Sequence, residues 1–226
     1  MSAEFLTDPV LAARGVRHGF GLRGAAPPRG LVRPRQVHGC AVARVGEGGR
    51  AEPHEADAIV STDPARAVAV LTADCLPILL CSRSGEAVAA VHAGWRGLAA
   101  GVVRAGVEAL RAAAGGAPLQ AAIGPHIGRC CYEVDEPVLA RLRPRFAADL
   151  AAALLPTRPG HGRLDLGALA RAELARAGIP PDAVGSAAIE CTHCDPERFH
   201  SYRRDGAGAG RLVSFIAPGP RAGRRA

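Results

Sequence analysis

Thiol, imidazole and carboxylate side chains follow several short apolar runs of this sequence. Asp74 and Cys75 lie between two such runs, where the end of a strand can present both side chains at the edge of a sheet. His92 ends a third run, and His38 lies in the segment Arg35-Gln36-Val37-His38-Gly39. Two histidines and one thiolate make an open catalytic zinc site when water or substrate takes the fourth position. His38, Cys75 and His92 could therefore bind one zinc ion although they lie far apart in the chain, whereas a histidine taken alone is more often structural than a ligand.

Further polar side chains accompany these ligands. Alternation through residues 35–39 predicts a strand in which Gln36 and His38 share one face. Taken alone, Cys75 could be a small core residue. The adjacent Asp74 makes burial of the pair unfavourable unless the carboxylate finds a partner, which favours a site.

A glycine-flanked turn follows the run that ends at His92. The single tryptophan of the chain, Trp95, lies in this turn together with Arg96, directly before a predicted helix. Backbone N–H groups at a helix N-terminus favour an anion, and an arginine side chain is well shaped to bind phosphate. The alternative is that Trp95 covers the core and Arg96 stacks on its ring.

Three other segments could contribute. Cys191-Thr192-His193-Cys194 could bind a metal, but no second cysteine pair lies at the spacing of a zinc finger or ribbon, so a complete structural site is not supported. Arg203 and Arg204 follow it and could close over a phosphate or form a basic turn. His126 follows another apolar run, as a general acid or base or as a solvent-facing turn residue.

Composition excludes several classes of function. The 226 residues contain no lysine, so Schiff-base chemistry on lysine, a phosphate-loop lysine and a Ser-Lys dyad are all absent. The formal net charge of +7 is carried by 28 arginines. With one tryptophan, two tyrosines, five phenylalanines and no recognisable motif, a nucleic-acid interface is not expected. Small anionic substrates remain open.

The cellular setting follows from the cysteines and the apolar runs. None of these runs approaches the ~20 residues of a membrane span, and the acidic start does not fit a signal peptide. An odd number of cysteines, seven, fits a reducing compartment better than a disulfide framework. We therefore expect a cytoplasmic protein with no membrane partner, as a monomer or small homo-oligomer.

Hydrophobic patterning predicts the elements that must position the candidate residues. Strands are predicted at residues 56–60, 67–72, 77–81, 87–92, 119–123, 183–189 and 211–216. Helices are predicted at 97–114, at 135–155 with an interruption at Pro144, and at 164–177. This order lacks the regular alternation of a doubly wound fold and predicts an α+β fold.

The motifs RQVHG, TADCLPILL, VHAGWRGL, AIGPHIG and CTHCDPERFHSYRRDG together resemble those of the YfiH-like family, whose members carry laccase-domain or polyphenol oxidase labels. The resemblance covers about residues 35–216 and implies one catalytic domain over 1–226, a short N-terminal segment and a disordered basic tail at 217–226. Residues 17–33 depart from the family pattern by being shorter. The implied fold is an α/β/β/α sandwich with two mixed sheets, and the implied zinc ligands are His38, Cys75 and His92.

The implied activity is that of a purine nucleoside phosphorylase. The resemblance implies phosphorolysis of adenosine, inosine, guanosine and 5′-methylthioadenosine, with adenosine deamination as a further activity, so purine nucleosides and phosphate are the expected partners. Arg96, with Arg203 or Arg204, could hold the phosphate, and Gln36 and Trp95 are further candidate substrate contacts. Asp74 or His126 could protonate the leaving purine. In deamination, Asp74 beside Cys75 could move protons for a water activated at zinc.

Three hypotheses compete with this one, and the first two use the same residues differently. A copper-dependent polyphenol oxidase would hold copper in place of zinc, yet the repeated His-X-His pairs of blue multicopper oxidases are absent. A cysteine hydrolase, for instance one that edits peptidoglycan precursors, would use Cys75 as nucleophile and His92 as base. A non-catalytic binding module would use Cys191, His193 and Cys194 structurally.

Overall fold

A computed structural model of the chain describes residues 4–46, 49–186 and 189–219. The strands are β1 (Phe5–Leu6), β2 (Arg17–Gly21), β3 (Val42–Val45), β4 (Ala51–Glu52), β5 (Ala58–Ser61), β6 (Val68–Thr72), β7 (Leu76–Ser82), β8 (Val88–Ala93), β9 (Leu119–Ile123), β10 (Glu133–Asp135), β11 (Leu154–Arg158), β12 (His161–Leu164), β13 (Val184–Gly185) and β14 (Leu212–Ala217). The helices are α1 (Pro9–Ala12), α2 (Trp95–Ala100), α3 (Val102–Ala113), α4 (Glu136–Ala153), α5 (Leu166–Arg176) and α6 (Tyr202–Asp205).

The largest sheet has seven strands in the order β13-β9-β7-β8-β5-β3-β4. The pairs β13/β9 and β3/β5 are parallel and the other pairs are antiparallel, so the sheet is mixed. Every residue of β7 and β8 is buried because the sheet is covered on both faces. Burial on two faces explains why these strands are continuous apolar runs rather than alternating ones.

A second sheet of four strands, β1-β2-β14-β6, lies against the first. Its ladders are antiparallel, and an isolated parallel bridge between Val32 and Val68 makes its pairing mixed as well. A separate three-stranded antiparallel sheet, β10-β12-β11, flanks α4.

Side chains from the two faces of β7 divide the core in two. Leu79 and Cys81 face the smaller sheet, in a cluster that includes Phe20 and Ile216. Ile78 and Leu80 face the other way, into the cluster that holds the apolar side of α3. Each fully buried leucine contributes about 1.5–3 kcal/mol to folding, so this double-sided strand stabilises both layers at once.

The long helices pack on the larger sheet. α3 lies directly on β5, β7 and β8, and α5 packs on α3 and α4. The outer face of the smaller sheet instead carries a small apolar cluster with Ala69 and Phe215. The predicted single-domain α+β fold with two mixed sheets is thus confirmed, with its long helices on one side of the sandwich.

Two predicted elements differ from those observed, whereas the predicted interruption of the second long helix is confirmed. The helix predicted at 97–114 divides at Gly101, whose φ of +89° is readily adopted by glycine and ends α2 before α3 begins. The interruption expected at Pro144 lies within α4, where Phe146 has non-helical dihedrals. The strand predicted at 35–39 is wrong, because this segment is a loop in which only Arg35 forms a bridge.

The bounds of the last predicted strands and of the C-terminal tail also differ from those observed. The strand predicted at 183–189 is only Val184–Gly185, and residues 187 and 188 lie outside the described part of the chain. Ala217 ends β14 and is buried, so the predicted disordered tail does not begin there. Residues 220–226 of that tail also lie outside the described part.

None of the helices within the described ranges combines the length and the apolar character needed to cross a membrane.

Candidate active site and metal centre

A cavity of about 690 Å³ opens where β6 ends and β7 and β8 meet the loop at 33–38. Its lining includes the predicted ligands His38, Cys75 and His92 together with Asp74, which precedes β7. The strand ends thus bring together side chains that lie far apart in the sequence.

The three predicted ligands converge at the floor of this cavity. One ligand atom from each of His38, Cys75 and His92 lies within 4.8 Å of the others. His92 is buried, Cys75 is half-buried and His38 is exposed, so the cluster is open on one side. A Cβ at Gly94 would lie 2.9 Å from the Cys75 Sγ, so only glycine leaves room for the thiol.

A residue that the sequence analysis missed holds two of these ligands in place. Asp57 is fully buried, and its Oδ1 lies 2.8 Å from Nδ1 of His92. The same carboxylate accepts hydrogen bonds from the backbone N–H groups of Val37, His38 and Gly39. A carboxylate behind a histidine ligand fixes its tautomer, which leaves Nε2 of His92 free for a metal. The sequence signal that could have revealed Asp57 is its position as a single acidic residue directly before the apolar run of β5.

Electrostatics in the cluster favour a thiolate. Burial raises the pKa of Cys75, but the hydrogen bonds and charges of His38 and His92 outweigh burial and lower this pKa to about 6. Burial lowers the pKa of His92, whereas its bonds to Asp57 and Cys75 raise that pKa to about 9. Without a metal, Cys75 and His92 therefore form a thiolate–imidazolium pair at neutral pH, and a bound cation would replace the imidazolium proton.

Asp74 is buried at the cavity wall and organises the segment that carries Arg203. Its Oδ1 accepts a 2.6 Å hydrogen bond from the Thr192 hydroxyl. Its Oδ2 accepts bonds from the Ser201 hydroxyl at 3.0 Å and from the backbone N–H of Arg203 at 2.6 Å. A carboxylate has about four acceptor positions, so Oδ1 keeps one acceptor position that these bonds do not use.

Two non-glycine residues of the described chain have positive φ, and both belong to this site. His38 has φ 59° and Asp74 has φ 81°. Such conformations cost about 1–3 kcal/mol and persist where surrounding contacts enforce them. Here the Asp57 carboxylate enforces the first, and the bonds from Thr192 and Ser201 anchor the side chain at the second.

Arginine side chains supply positive charge around the cavity. Two of those predicted, Arg96 and Arg203, line it, as does Trp95. The Arg96 guanidinium lies 4.4 Å from the centre of the Trp95 ring, so the stacking considered as an alternative occurs within the cavity itself. The sequence analysis missed three further arginines of the lining, which are Arg33, Arg35 and Arg211.

Two predicted residues lie elsewhere. The Arg204 guanidinium donates to the backbone carbonyls of Thr192, His193 and Phe199 and does not line the cavity, so a phosphate contact from it is not supported. His126 is buried outside the cavity, with Nδ1 2.8 Å from the Gly124 carbonyl oxygen. Burial lowers its pKa, and a role for it as the acid of the reaction is likewise not supported.

Three further residues line the cavity, and two of them contact neighbouring protein groups. Gln36 lines the cavity as predicted, although its amide is paired with the backbone N–H and carbonyl of Leu71. Tyr132, which the sequence analysis missed, lines the cavity and lies 5.2 Å under the Arg203 guanidinium. Thr72 also belongs to the lining, and its hydroxyl is the one buried side-chain polar atom without a partner among the described residues.

A second cluster of potential ligands lies outside the cavity. Cys191 and Cys194 meet Cys130 and Cys131, with the four sulfurs within 4.8 Å of one another, whereas His193 is not part of the group. The second cysteine pair that the sequence did not reveal is thus supplied by the segment after β9.

Comparison with known proteins identifies the family. Residues 16–218 match the family model described as Multi-copper polyphenol oxidoreductase laccase. A purine nucleoside phosphorylase of Xylella fastidiosa (strain 9a5c) is 43% identical over 175 residues, which are 76% of this chain and 66% of that protein. The adenosine deaminase RL5 of an unknown prokaryotic organism is 34% identical over 94% of this chain and 84% of its own.

A solved structure has a similar fold. The crystal structure of YlmD from Geobacillus stearothermophilus superposes with a TM-score of 0.84 at 27% identity, covering 97% of this chain and 98% of that chain. The chain spans just under two thirds of the length of the Xylella protein. The motifs, the mixed-sheet fold and the match over nearly the whole chain agree that this protein belongs to the laccase-domain, YfiH-like family.

Proposed function

We propose that this protein is a zinc-dependent purine nucleoside phosphorylase that converts adenosine, inosine, guanosine and 5′-methylthioadenosine with phosphate into the base and a pentose 1-phosphate, and that it also deaminates adenosine. The observation that carries the proposal is one cavity in which the His38, Cys75 and His92 ligands face several arginines. Relatives named purine nucleoside phosphorylase and adenosine deaminase support both activities.

The residues present fit a zinc ion. Two imidazoles and a thiolate are the borderline-soft donors that zinc prefers, and one open side leaves room for substrate. Gly94 leaves room for the thiolate, and Asp57 orients His92 from behind. When bound, zinc supplies Lewis acidity that activates a nucleophile or polarises the substrate.

Phosphate binding falls to the arginines of the lining. Arg203 donates to the Glu133 carbonyl through one nitrogen, which fixes its guanidinium beside Tyr132 while leaving other N–H groups for a ligand. Arg96 lies across the Trp95 ring at the same cavity. Planar guanidinium groups bind phosphate oxygens in pairs, so these two are the proposed phosphate contacts.

Base and ribose would meet the remaining wall. Ile127, Tyr132 and Leu71 provide apolar surface for a purine. We assign proton transfer to Oδ1 of Asp74, because Oδ2 is held by Ser201 and Arg203 while Oδ1 has an acceptor position left.

The test uses purified protein of known metal content, incubated with adenosine with and without phosphate. Adenine formed only with phosphate is the expected result for phosphorolysis, and inosine formed without it is expected for deamination. Arg203→Ala should raise the KM for phosphate by about tenfold, since one charge-assisted contact is lost. Arg104→Ala, at an exposed ion pair with Glu108, is the matched control. Absence of both products would overturn the proposal.

One other function is favoured by a specific contact. Cys75, His92 and Asp57 form a thiol–imidazole–carboxylate row, the arrangement of a cysteine hydrolase. Activity on an amide that survives complete chelation but is lost on alkylation of Cys75 would favour that hydrolase. Bound copper without inosine phosphorolysis would instead favour the polyphenol oxidase that the family description names.

A further inference from the structure

Four cysteines outside the cavity converge from two distant segments. Cys130 and Cys131 lie in the turn between β9 and β10, and Cys191 and Cys194 lie more than fifty residues later, before α6. Their four sulfurs lie within 4.8 Å of one another. Four of the seven cysteines of the chain therefore lie together, which suggests a common function.

The spacing of the sulfurs fits tetrahedral coordination. A zinc ion holds each thiolate at about 2.3 Å, so two sulfurs at tetrahedral corners lie about 3.8 Å apart. The Sγ atoms of Cys130 and Cys194 are 3.7 Å apart, and those of Cys131 and Cys194 are 3.4 Å apart. Both separations are near that tetrahedral edge and well beyond the about 2.05 Å of a disulfide.

The surrounding backbone suits a negatively charged cluster. The N–H of Gly128 donates to the Cys191 Sγ at 3.2 Å, and such N–H donors stabilise thiolate ligands. The Arg204 guanidinium holds the carbonyls of Thr192 and His193, in the loop between the two later cysteines, at 3.1 Å each. These bonds hold the loop between the two later cysteines in place, while the charge of Arg204 itself is paired with the Asp205 carboxylate.

The later cysteines belong to a segment with little regular structure of its own. From residue 189 to the start of α6, the described chain contains turns and one isolated bridge between His126 and Cys191. Yet this segment delivers Thr192 and Ser201 to Asp74 in the cavity wall. A cross-link between this segment and the turn at 130–131 would fix both against the sheet.

We propose that Cys130, Cys131, Cys191 and Cys194 bind a zinc ion in a closed, structural site separate from the cavity. Four thiolates fill the tetrahedral shell, so the ion has no open position for substrate and acts by joining the two segments. His193, although adjacent to Cys194 in the sequence, is not a ligand.

The experiment measures zinc per chain in full-length protein purified with zinc present. The wild type and the Cys40→Ser control, which changes an exposed cysteine outside both clusters, should each hold about two equivalents. Cys75→Ala should hold about one equivalent, and the double variant Cys130→Ser with Cys194→Ser should hold about one. Both clusters would thus lose their metal independently.

Cobalt identifies the ligands that remain. Cobalt-loaded Cys75→Ala should show the intense absorption of tetrahedral all-thiolate coordination, and the double cysteine variant should lack it. If the double variant does not fold, alkylation of the wild type followed by peptide mass spectrometry gives the same information. The four cysteines should be protected until chelation and reactive afterwards. No metal in Cys75→Ala, or a disulfide within the group, would overturn the proposal.

Discussion

The two cysteine-containing clusters of this protein differ in donors, exposure and neighbours. His38, Cys75 and His92 combine nitrogen with sulfur, line a cavity of about 690 Å³ and have a buried carboxylate behind them. The four cysteines at 130, 131, 191 and 194 are all sulfur and lie outside that cavity. Three ligands beside a cavity leave a metal able to meet substrate, whereas four thiolates do not. The comparison thus separates the site proposed for the reaction from the site proposed to join two segments of the chain.

The clusters are nevertheless joined through Asp74. Its backbone carbonyl accepts from the N–H of Ile127, in the turn that leads to the first cysteine pair. Its side chain accepts from Thr192, which lies between the second pair. Disorder at the four-cysteine cluster would therefore reach the cavity wall through Asp74, although no residue is shared by the two ligand sets.

The largest expected effect is the loss of catalytic activity when a ligand of the cavity cluster is removed. Cys75→Ala removes one of three ligands at the cavity, which costs several kcal/mol of transition-state stabilisation, so kcat/KM for adenosine phosphorolysis should fall roughly a thousandfold. The unfolding midpoint should change by no more than a few degrees, because Cys75 is half-buried and its removal leaves the second cluster intact. Steady-state kinetics and thermal melts check both. Activity within tenfold of the wild type would contradict a role for this cluster in the chemistry.

The alkylation rates of Cys75 and Cys81 test whether the cavity cluster stabilises a thiolate. In metal-stripped protein, Cys75 should alkylate with a midpoint near pH 6, because His38 and His92 stabilise its thiolate above that pH. Cys81 is buried among apolar side chains, which raises its pKa to about 12, so it should stay a neutral thiol at pH 7. The rate ratio of the two at pH 7 should exceed about a hundredfold.

Peptide-resolved mass spectrometry after timed iodoacetamide treatment measures these rates. A reactivity midpoint for Cys75 near pH 8.5, the ordinary thiol value, would show that the two imidazoles do not stabilise the thiolate.

Asp57→Asn tests the contribution of the carboxylate that contacts His92 to metal binding at the cavity cluster. Loss of the carboxylate that orients His92 should weaken zinc binding at the cavity by about 10- to 100-fold. Binding at the four cysteines should be unchanged, since Asp57 contacts none of them. Competition with a fluorescent chelator resolves the two affinities, and Asp182→Asn, at an exposed position, is the control. Equal weakening at both clusters would mean that the variant acts by general unfolding.

The smallest effect on turnover is expected at the four-cysteine cluster. Cys130→Ser with Cys194→Ser should lower the unfolding midpoint by about 6–12 °C, which corresponds to about 3 kcal/mol in a chain of this size. At a temperature well below that midpoint, kcat should fall only a few-fold, through the displacement of Thr192 and Asp74. A variant with an unchanged midpoint and no turnover would reverse the roles assigned to the two clusters.

Local patterns of residue type were enough to predict the local elements of this protein. Continuous apolar runs identified β6, β7, β8 and β9, because strands covered on both faces must be apolar throughout. Residue types indicated His38, Cys75 and His92 as candidate metal ligands, and the structure brings these three side chains together. The order of the predicted elements indicated an α+β fold, whereas the resemblance to the YfiH-like family supplied the two-sheet sandwich and the proposed reaction.

Which of these side chains lie in contact depends on the tertiary fold. Asp57 was missed because an acid before an apolar run does not reveal its partners, which are set only when β5 and β8 pair beside the loop at 37–39. Arg204 and Arg203 are adjacent in sequence, yet one supports a loop and the other lines the cavity, because they point in different directions from α6. The two cysteine pairs come together through the parallel bridge of His126 with Cys191. Contacts between residues far apart in the chain depend on strand order and register, which local patterns of residue type do not encode.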